Sequence, residues 1–416
     1  MLSILLALAV PLVQTEPYWP HWRGPTANGV APAALPRTWS DTEHVRWKVE
    51  VPGRGVSTPI VLGERLFLTT AVPGDAAAPI EPQSFELHCL DRASGKTLWR
   101  SVAKVATPHE GFHKTYGSFA SSSPITDGER VYVSFGSQGV HAFDLEGKLL
   151  WSHDLGVKLE MRKAFGEGHA LVLAGDALVQ VCDQESGSFA FAVDRKTGQE
   201  LWRVERDEPS TWATPLVTRF GDALEVVTAG ARRTRSYDAA TGKILWEAPG
   251  AGANVIPTVL RHGDTVLTMS GFTEARILAL RPVLADGAKR EGDVPVAWTT
   301  SKGCGYTASP VLHDGLYYTV TDSGRASCFD AETGKAHYLE ERLPRGSSLK
   351  ASPIAAGEIL YVPTEAGEVH LVRLGPKFEV VATNVLADQM FIASPAAAEG
   401  RLYLRSMTHL FCIGDG

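Results

Sequence analysis

Cysteine is sparse and scattered: the chain has five in 416 residues, which argues against a disulfide framework. Positive charge is in deficit, with 40 Lys and Arg against 47 Asp and Glu and a net charge of −7. That balance argues against an extended nucleic-acid footprint. Long apolar runs are short as well. The opening MLSILLALAVPLVQT carries about 13 apolar residues, fewer than the ~18–20 a membrane-spanning helix needs. A run of this length suits a signal-peptide core, so residues 1–15 are expected to direct export to the periplasm or beyond, with cleavage near Thr15. No cysteine follows that run, so a lipid anchor is not expected. No nucleophile elbow is present, and the G-x-G stretches, such as GAGAN at Gly250–Asn254, lack the strand-then-helix setting of a phosphate loop.

What the chain has is repetition. One phrase recurs as CLDRASGKTLW (Cys89–Trp99), AFDLEGKLLW (Ala142–Trp151), AVDRKTGQELW (Ala192–Trp202), SYDAATGKILW (Ser236–Trp246) and CFDAETGKAHY (Cys328–Tyr338). A second phrase, typified by SSPITDGERVYV and ASPVLHDGLYYTV, precedes each by a few tens of residues. Proline is tolerated as the first residue of a strand, where no ladder hydrogen bond is lost. A Gly/Asp turn and an alternating run then predict a second strand, and a third ends at the aspartate. In D-x-x-T-G-K the aspartate caps the turn and glycine takes the positive-φ position. The fourth strand carries the tryptophan. Each unit is therefore a four-stranded antiparallel meander of propeller-blade size.

Proline marks at Pro59, Pro124, Pro215, Pro257, Pro310, Pro353 and Pro395, with a degenerate copy near Leu171, count eight blades. The docking aromatics are Trp99, Trp151, Trp202, Trp246, Trp298 and Tyr338. The last unit stops after three strands. HVRWKVEV, around residues 44–51, supplies the fourth, with Trp47 in the repeat position. Residues 16–416 are thus expected to form one all-β domain, an eight-bladed β-propeller closed by pairing of the chain ends.

The phrase A-x-D-x-x-T-G-K-x-x-W resembles the tryptophan-docking motif of the quinoprotein (pyrroloquinoline-quinone dehydrogenase-like) propellers. WPHWRGPTANGV and GRLYLRSMTHLFCIG are similar to exported repeat proteins of that kind, and the propeller lipoprotein of the outer-membrane β-barrel assembly machine shares the repeat. The dehydrogenases of the superfamily carry adjacent cysteines, a calcium-binding carboxylate and a catalytic aspartate. This chain has no Cys-Cys, and neither acidic residue finds a match. These departures favour a non-catalytic binding or scaffold module without a cofactor. The alternative is an oxidoreductase of alcohols or sugars using pyrroloquinoline quinone with calcium. An envelope protein, a polysaccharide or a small molecule is the expected partner of a monomer.

HEGFH, His109–His113, spells the H-E-x-x-H of zinc proteases, whose two imidazoles share a helix face. Here it falls in a loop between the first and second blades, after Pro108 and around Gly111, where no helix is expected. The segment is expected to be a polar loop on the funnel face, with a looser metal site on His109 and His113 as the alternative. Loops leading from one blade to the next converge on one face of the ring, and function gathers on such loops. They contribute Arg54, His113, Tyr116, Trp212, Asn254, Tyr306, Lys350 and Phe391, an aromatic and polar rim suited to a flat or sugar-like ligand. Trp19, Trp22 and Arg23 are expected to cover one end of the ring. Cys89, Cys328 and Cys412 share one strand position and read as buried thiols.

Overall fold

The computed structural model describes residues 18–73, 80–283, 292–344 and 347–414. The segment expected to be a signal peptide lies outside them. Among the described residues there are eight sheets, each built on a four-stranded antiparallel blade, and no helix long and apolar enough to cross a membrane. Blade 1 contains Ile60–Leu62, Arg65–Val72, Gln83–Asp91 and Thr97–Ala106. Blades 2 to 7 repeat that order, and blade 3 begins at Leu171–Ala174, where the sequence offers only its degenerate copy. Blade 8 holds Ala396–Ala398, Arg401–Arg405 and His409–Ile413. Its outer strand is Val45–Glu50, antiparallel to His409–Ile413 with Trp47 opposite Cys412.

The repeat phrase has a specific physical basis. In Asp194-Arg-Lys-Thr-Gly198, the Asp194 carboxylate accepts from the Lys196 and Thr197 N–H groups at 3.0 and 2.8 Å and from the Thr197 hydroxyl at 2.9 Å. The tryptophan of the preceding blade then lies on the turn. Trp151 Nε1 donates to the Arg195 carbonyl at 3.2 Å, and a Cβ on Gly198 would come within 2.5 Å of its ring. Trp99, Trp202 and Trp298 dock the same way on Leu145, Ala239 and Ala331. Trp47 docks on Arg92 of blade 1 at 3.1 Å. Glycine therefore serves twice, for its positive φ and for the ring above it.

Trp246 departs from this pattern. Blade 5 has no D-x-x-T-G turn to receive it, and its Nε1 donates instead to Glu225 of its own blade at 2.9 Å. A short strand, Gly292–Asp293, runs parallel to Ile244–Pro249 and covers it. Tyr338 lacks the indole N–H, and its ring packs 5.5 Å from Phe378.

A girdle of hydroxyls joins the innermost strands. Backbone N–H groups of Thr58, Thr258, Ser309 and Ser352 donate to the side chains of Ser123, Ser309, Ser352 and Ser394, at 2.8–3.0 Å. Each acceptor precedes the proline of the next blade. The Ser-Pro phrase thus both opens a strand and ties it to its neighbour. The cores between blades are apolar, and all five cysteines are buried and free. The joint between blades 3 and 4 is built on a buried ion pair within blade 3: Arg206 forks onto Asp183 at 2.6 and 3.0 Å, with both side chains fully buried, and its Nη1 donates to Thr228 and Tyr237 of blade 4 at 2.9 and 2.7 Å.

The N-terminal segment runs inside the ring. Tyr18–Trp19 pairs antiparallel with Ile60–Leu62 of blade 1, and Val30–Ala31 pairs parallel with Ile354–Ala356 of blade 7. The fully buried Arg23 guanidinium donates to the carbonyls of Pro310 and Pro353, both at 2.7 Å. Burial pushes its pKa down to about 9.

Candidate functional site

The channel opens on the inter-blade loop face as a funnel of about 510 Å³. Trp22 borders it from the N-terminal segment, in keeping with the expectation that this segment covers one end of the ring. His113 and Tyr116 come from the loop between blades 1 and 2, with their rings stacked 3.6 Å apart. Burial and the Lys350 charge hold the His113 imidazole below its usual pKa, so it is neutral at pH 7. Trp212 leans across to the next loop, its Nε1 donating to the Gly166 carbonyl at 2.9 Å. Tyr306 stacks on Phe272 with centroids 5.1 Å apart and accepts a 3.3 Å hydrogen bond from Asn254. Lys350 reaches Asp322 at 2.8 Å and lies 5.0 Å over the Tyr116 ring. Burial alone would lower its pKa; Asp322 and Glu365 outweigh that and keep it charged.

Six of the eight rim residues expected from sequence line the funnel: His113, Tyr116, Trp212, Asn254, Tyr306 and Lys350. Two do not. Phe391 is buried in the core around blade 8, and its neighbour Ile392 forms the wall. Arg54 lies behind the wall, donating to the carbonyls of Gly117, Lys114 and Thr115 at 2.7–3.0 Å, with its guanidinium over the Phe112 ring. It props the loop that presents His113 and Tyr116. Residues the sequence reading missed are Arg162, Lys163 and Phe165, from a short 3-10 turn before blade 3, and Phe272. Among the described residues neither Arg162 nor Lys163 forms an ion pair, and no carboxylate lines the funnel.

HEGFH takes no helical conformation, so its two histidines part. His113 stacks in the funnel. His109 turns back between the blades, its Nε2 2.8 Å from the Leu159 carbonyl. The alternative of a metal held between His109 and His113 is therefore not formed; the side chains near His109 that could ligate a metal are Glu110 and Glu167. Burial, reinforced by the Glu110 charge, pushes the Glu167 pKa up to about 7, against the two hydrogen bonds from Ser137.

A family model described as outer membrane protein assembly factor BamB matches residues 83–191 and 190–377. The chain belongs to that family. The BamB of Bordetella pertussis is 23% identical over 337 residues, 78% of this chain and 74% of that protein. The crystal structure of BamB from Moraxella catarrhalis superposes with a TM-score of 0.63 at 13% identity, covering 89% of this chain and 97% of that one. The quinohemoprotein alcohol dehydrogenase of Comamonas testosteroni gives 0.64 at 12% identity, covering 96% and 81%. At these identities the two structures share the fold.

The fold therefore raises the question of pyrroloquinoline quinone with calcium, and the lining residues do not fit that pair. Calcium takes 6–8 hard oxygen ligands, carboxylates foremost, whereas the charged groups in the funnel wall are Arg162, Lys163 and Lys350. Asp322 is committed to Lys350 and to Thr307, whose N–H and hydroxyl it accepts at 2.9 and 3.0 Å. The adjacent cysteine pair of those enzymes is absent from the sequence.

Proposed function

We propose that the protein is an exported, non-catalytic binding module of the cell envelope, which takes an acidic segment of a partner protein into its funnel. The observation that carries this reading is the wall itself: aromatic rings from Trp22, Tyr116, Phe165, Trp212, Phe272 and Tyr306 beside Arg162, Lys163 and Lys350. Aromatic faces bind through area and stacking. Arg162 and Lys163, which form no ion pair among the described residues, steer and orient a carboxylate-bearing ligand. The name of the family, outer membrane protein assembly factor, supports an envelope protein as the partner. The loop face suits such work, since a rigid ring holds loops that are free to vary.

The test is retention of envelope proteins on the immobilised full chain, with Trp212→Ala and Lys163→Glu beside the parent. Retention that weakens with salt and falls in both variants is expected. A protein retained equally by all three would remove the funnel from the reading, and a retained polysaccharide would replace the protein partner. Dye reduction with alcohols or aldoses after addition of the quinone and calcium would restore the oxidoreductase alternative.

A further inference from the structure

We propose that His109, Glu110 and Glu167 hold one divalent first-row transition-metal ion where blades 1, 2 and 3 meet, and that the ion pins the loop carrying His113 and Tyr116. One ligand atom from each residue lies within 4.8 Å of the other two, and His109 Nδ1 is 3.9 Å from Glu167 Oε1. Tetrahedral zinc with bonds of about 2.1 Å spaces its ligands roughly 3.4 Å apart, so separations that shrink by about 1.4 Å at most, shared between two side chains, close the set.

The imidazole is turned for this role. Only an N–H can satisfy the Leu159 carbonyl 2.8 Å from Nε2. That leaves Nδ1 facing the carboxylates, the arrangement of a metal-bound histidine with a backbone carbonyl behind it. Both carboxylates are also held from behind. Ser137 donates to Glu167 through its N–H and, at 2.9 Å, through its hydroxyl; the Met161 N–H donates to both Glu110 oxygens at 3.2 Å. A Cβ on Gly136 would overlap the Glu167 carboxylate, so the chain has kept room for it.

Among the described residues no Lys or Arg pairs with Glu110 or Glu167. Two carboxyl groups and an imidazole thus converge with no Lys or Arg beside them. Beside them lies a cavity of about 20 Å³ bordered by Pro108, Glu110, Gly111 and Glu167, enough for about one water molecule to complete a coordination shell. One imidazole and two carboxylates suit Zn2+ or Mn2+; Ca2+ asks for more oxygens than the site offers.

The full chain is stripped with chelator and titrated with Zn2+ by calorimetry. One equivalent is expected to bind, with affinity falling roughly 100-fold in Glu167→Gln and in His109→Gln and staying unchanged in His113→Ala. Zn2+ is also expected to slow amide exchange across residues 109–117. The two ligand variants lie on different loops, and each is read only where its circular dichroism in chelator matches the parent. No binding by the parent, binding that survives both ligand variants, or loss in His113→Ala would each overturn the proposal. So would Ca2+ displacing Zn2+ at equal concentration.

Discussion

Glycines 187 and 242 allow the docking interaction to be weighed on its own. Their backbones are alike, with φ of +73° and +72°. Around Gly187 an added Cβ meets nothing within 4 Å, whereas at Gly242 it comes within 2.7 Å of the Trp202 ring. Gly187→Ala therefore carries only the left-handed backbone strain of a non-glycine residue, about 1 kcal/mol. Gly242→Ala adds overpacking of about 1–3 kcal/mol and should lose about 2–4 kcal/mol in all. Trp202→Ala removes the ring and its 3.0 Å hydrogen bond to Ala239, a loss of about 3–5 kcal/mol. With the ring gone, adding Gly242→Ala should bring only the backbone strain again. The double-mutant cycle then returns a coupling of about 1–3 kcal/mol. Urea unfolding followed by far-ultraviolet circular dichroism measures all four variants. Equal losses in the two glycine variants, or strict additivity in the cycle, would refute the account of glycine as the seat of the neighbouring tryptophan.

Three other outcomes follow from the same geometry. Trp22→Ala should deepen the funnel and weaken partner retention while leaving the unfolding midpoint close to that of the parent, because the anchoring bonds belong to Arg23; a midpoint that collapses would move Trp22 from the site to the scaffold. Asp183→Asn strands the buried Arg206 and should lose roughly 3–5 kcal/mol in urea unfolding, and a loss under ~1 kcal/mol would show the joint is not ionic in solution. Burial pushes the His141 pKa down to about 4, so the unfolded chain binds its proton first. The stability this histidine contributes is complete above pH ~6.5 and is lost as pH falls toward 4, by about 3 kcal/mol; His141→Asn should flatten that part of the pH profile, and an unchanged slope would refute the assignment.

The blade count and the docking rings were legible because each is a local pattern. An aspartate, a glycine and a tryptophan at fixed spacing must make the same hairpin wherever they occur. The girdle of hydroxyls was not legible, since Ser352 and Ser394 meet only after two blades have folded side by side. The funnel was legible to the resolution of a loop and no finer. Phe391 and Ile392 are adjacent, yet one enters the core and the other the wall, and an irregular loop has no period to tell them apart. Arg162 and Lys163 escaped because blade 3 lacks the proline mark that flags its entry loop. Trp246 kept its place between blades but lost its turn to the altered hairpin of blade 5. His109 and Glu167 share no motif, being brought together by loops on either side of blade 2.

The path of Arg23 has a consequence for how the molecule comes into being. Its guanidinium donates to carbonyls 287 and 330 residues further along the chain, and Trp47 waits for a strand that begins at His409. During synthesis Arg23 and the strand around Trp47 would remain without these partners until most of the polypeptide has emerged. Early blades can form from local contacts, but the inner lining is the last thing made and the slowest to search for. Once the ends have met, opening the ring parts the strand seam of blade 8 and the N-terminal segment that pairs with blades 1 and 7. A ring assembled this way should resist proteases out of proportion to its equilibrium stability, as a property of its opening rate.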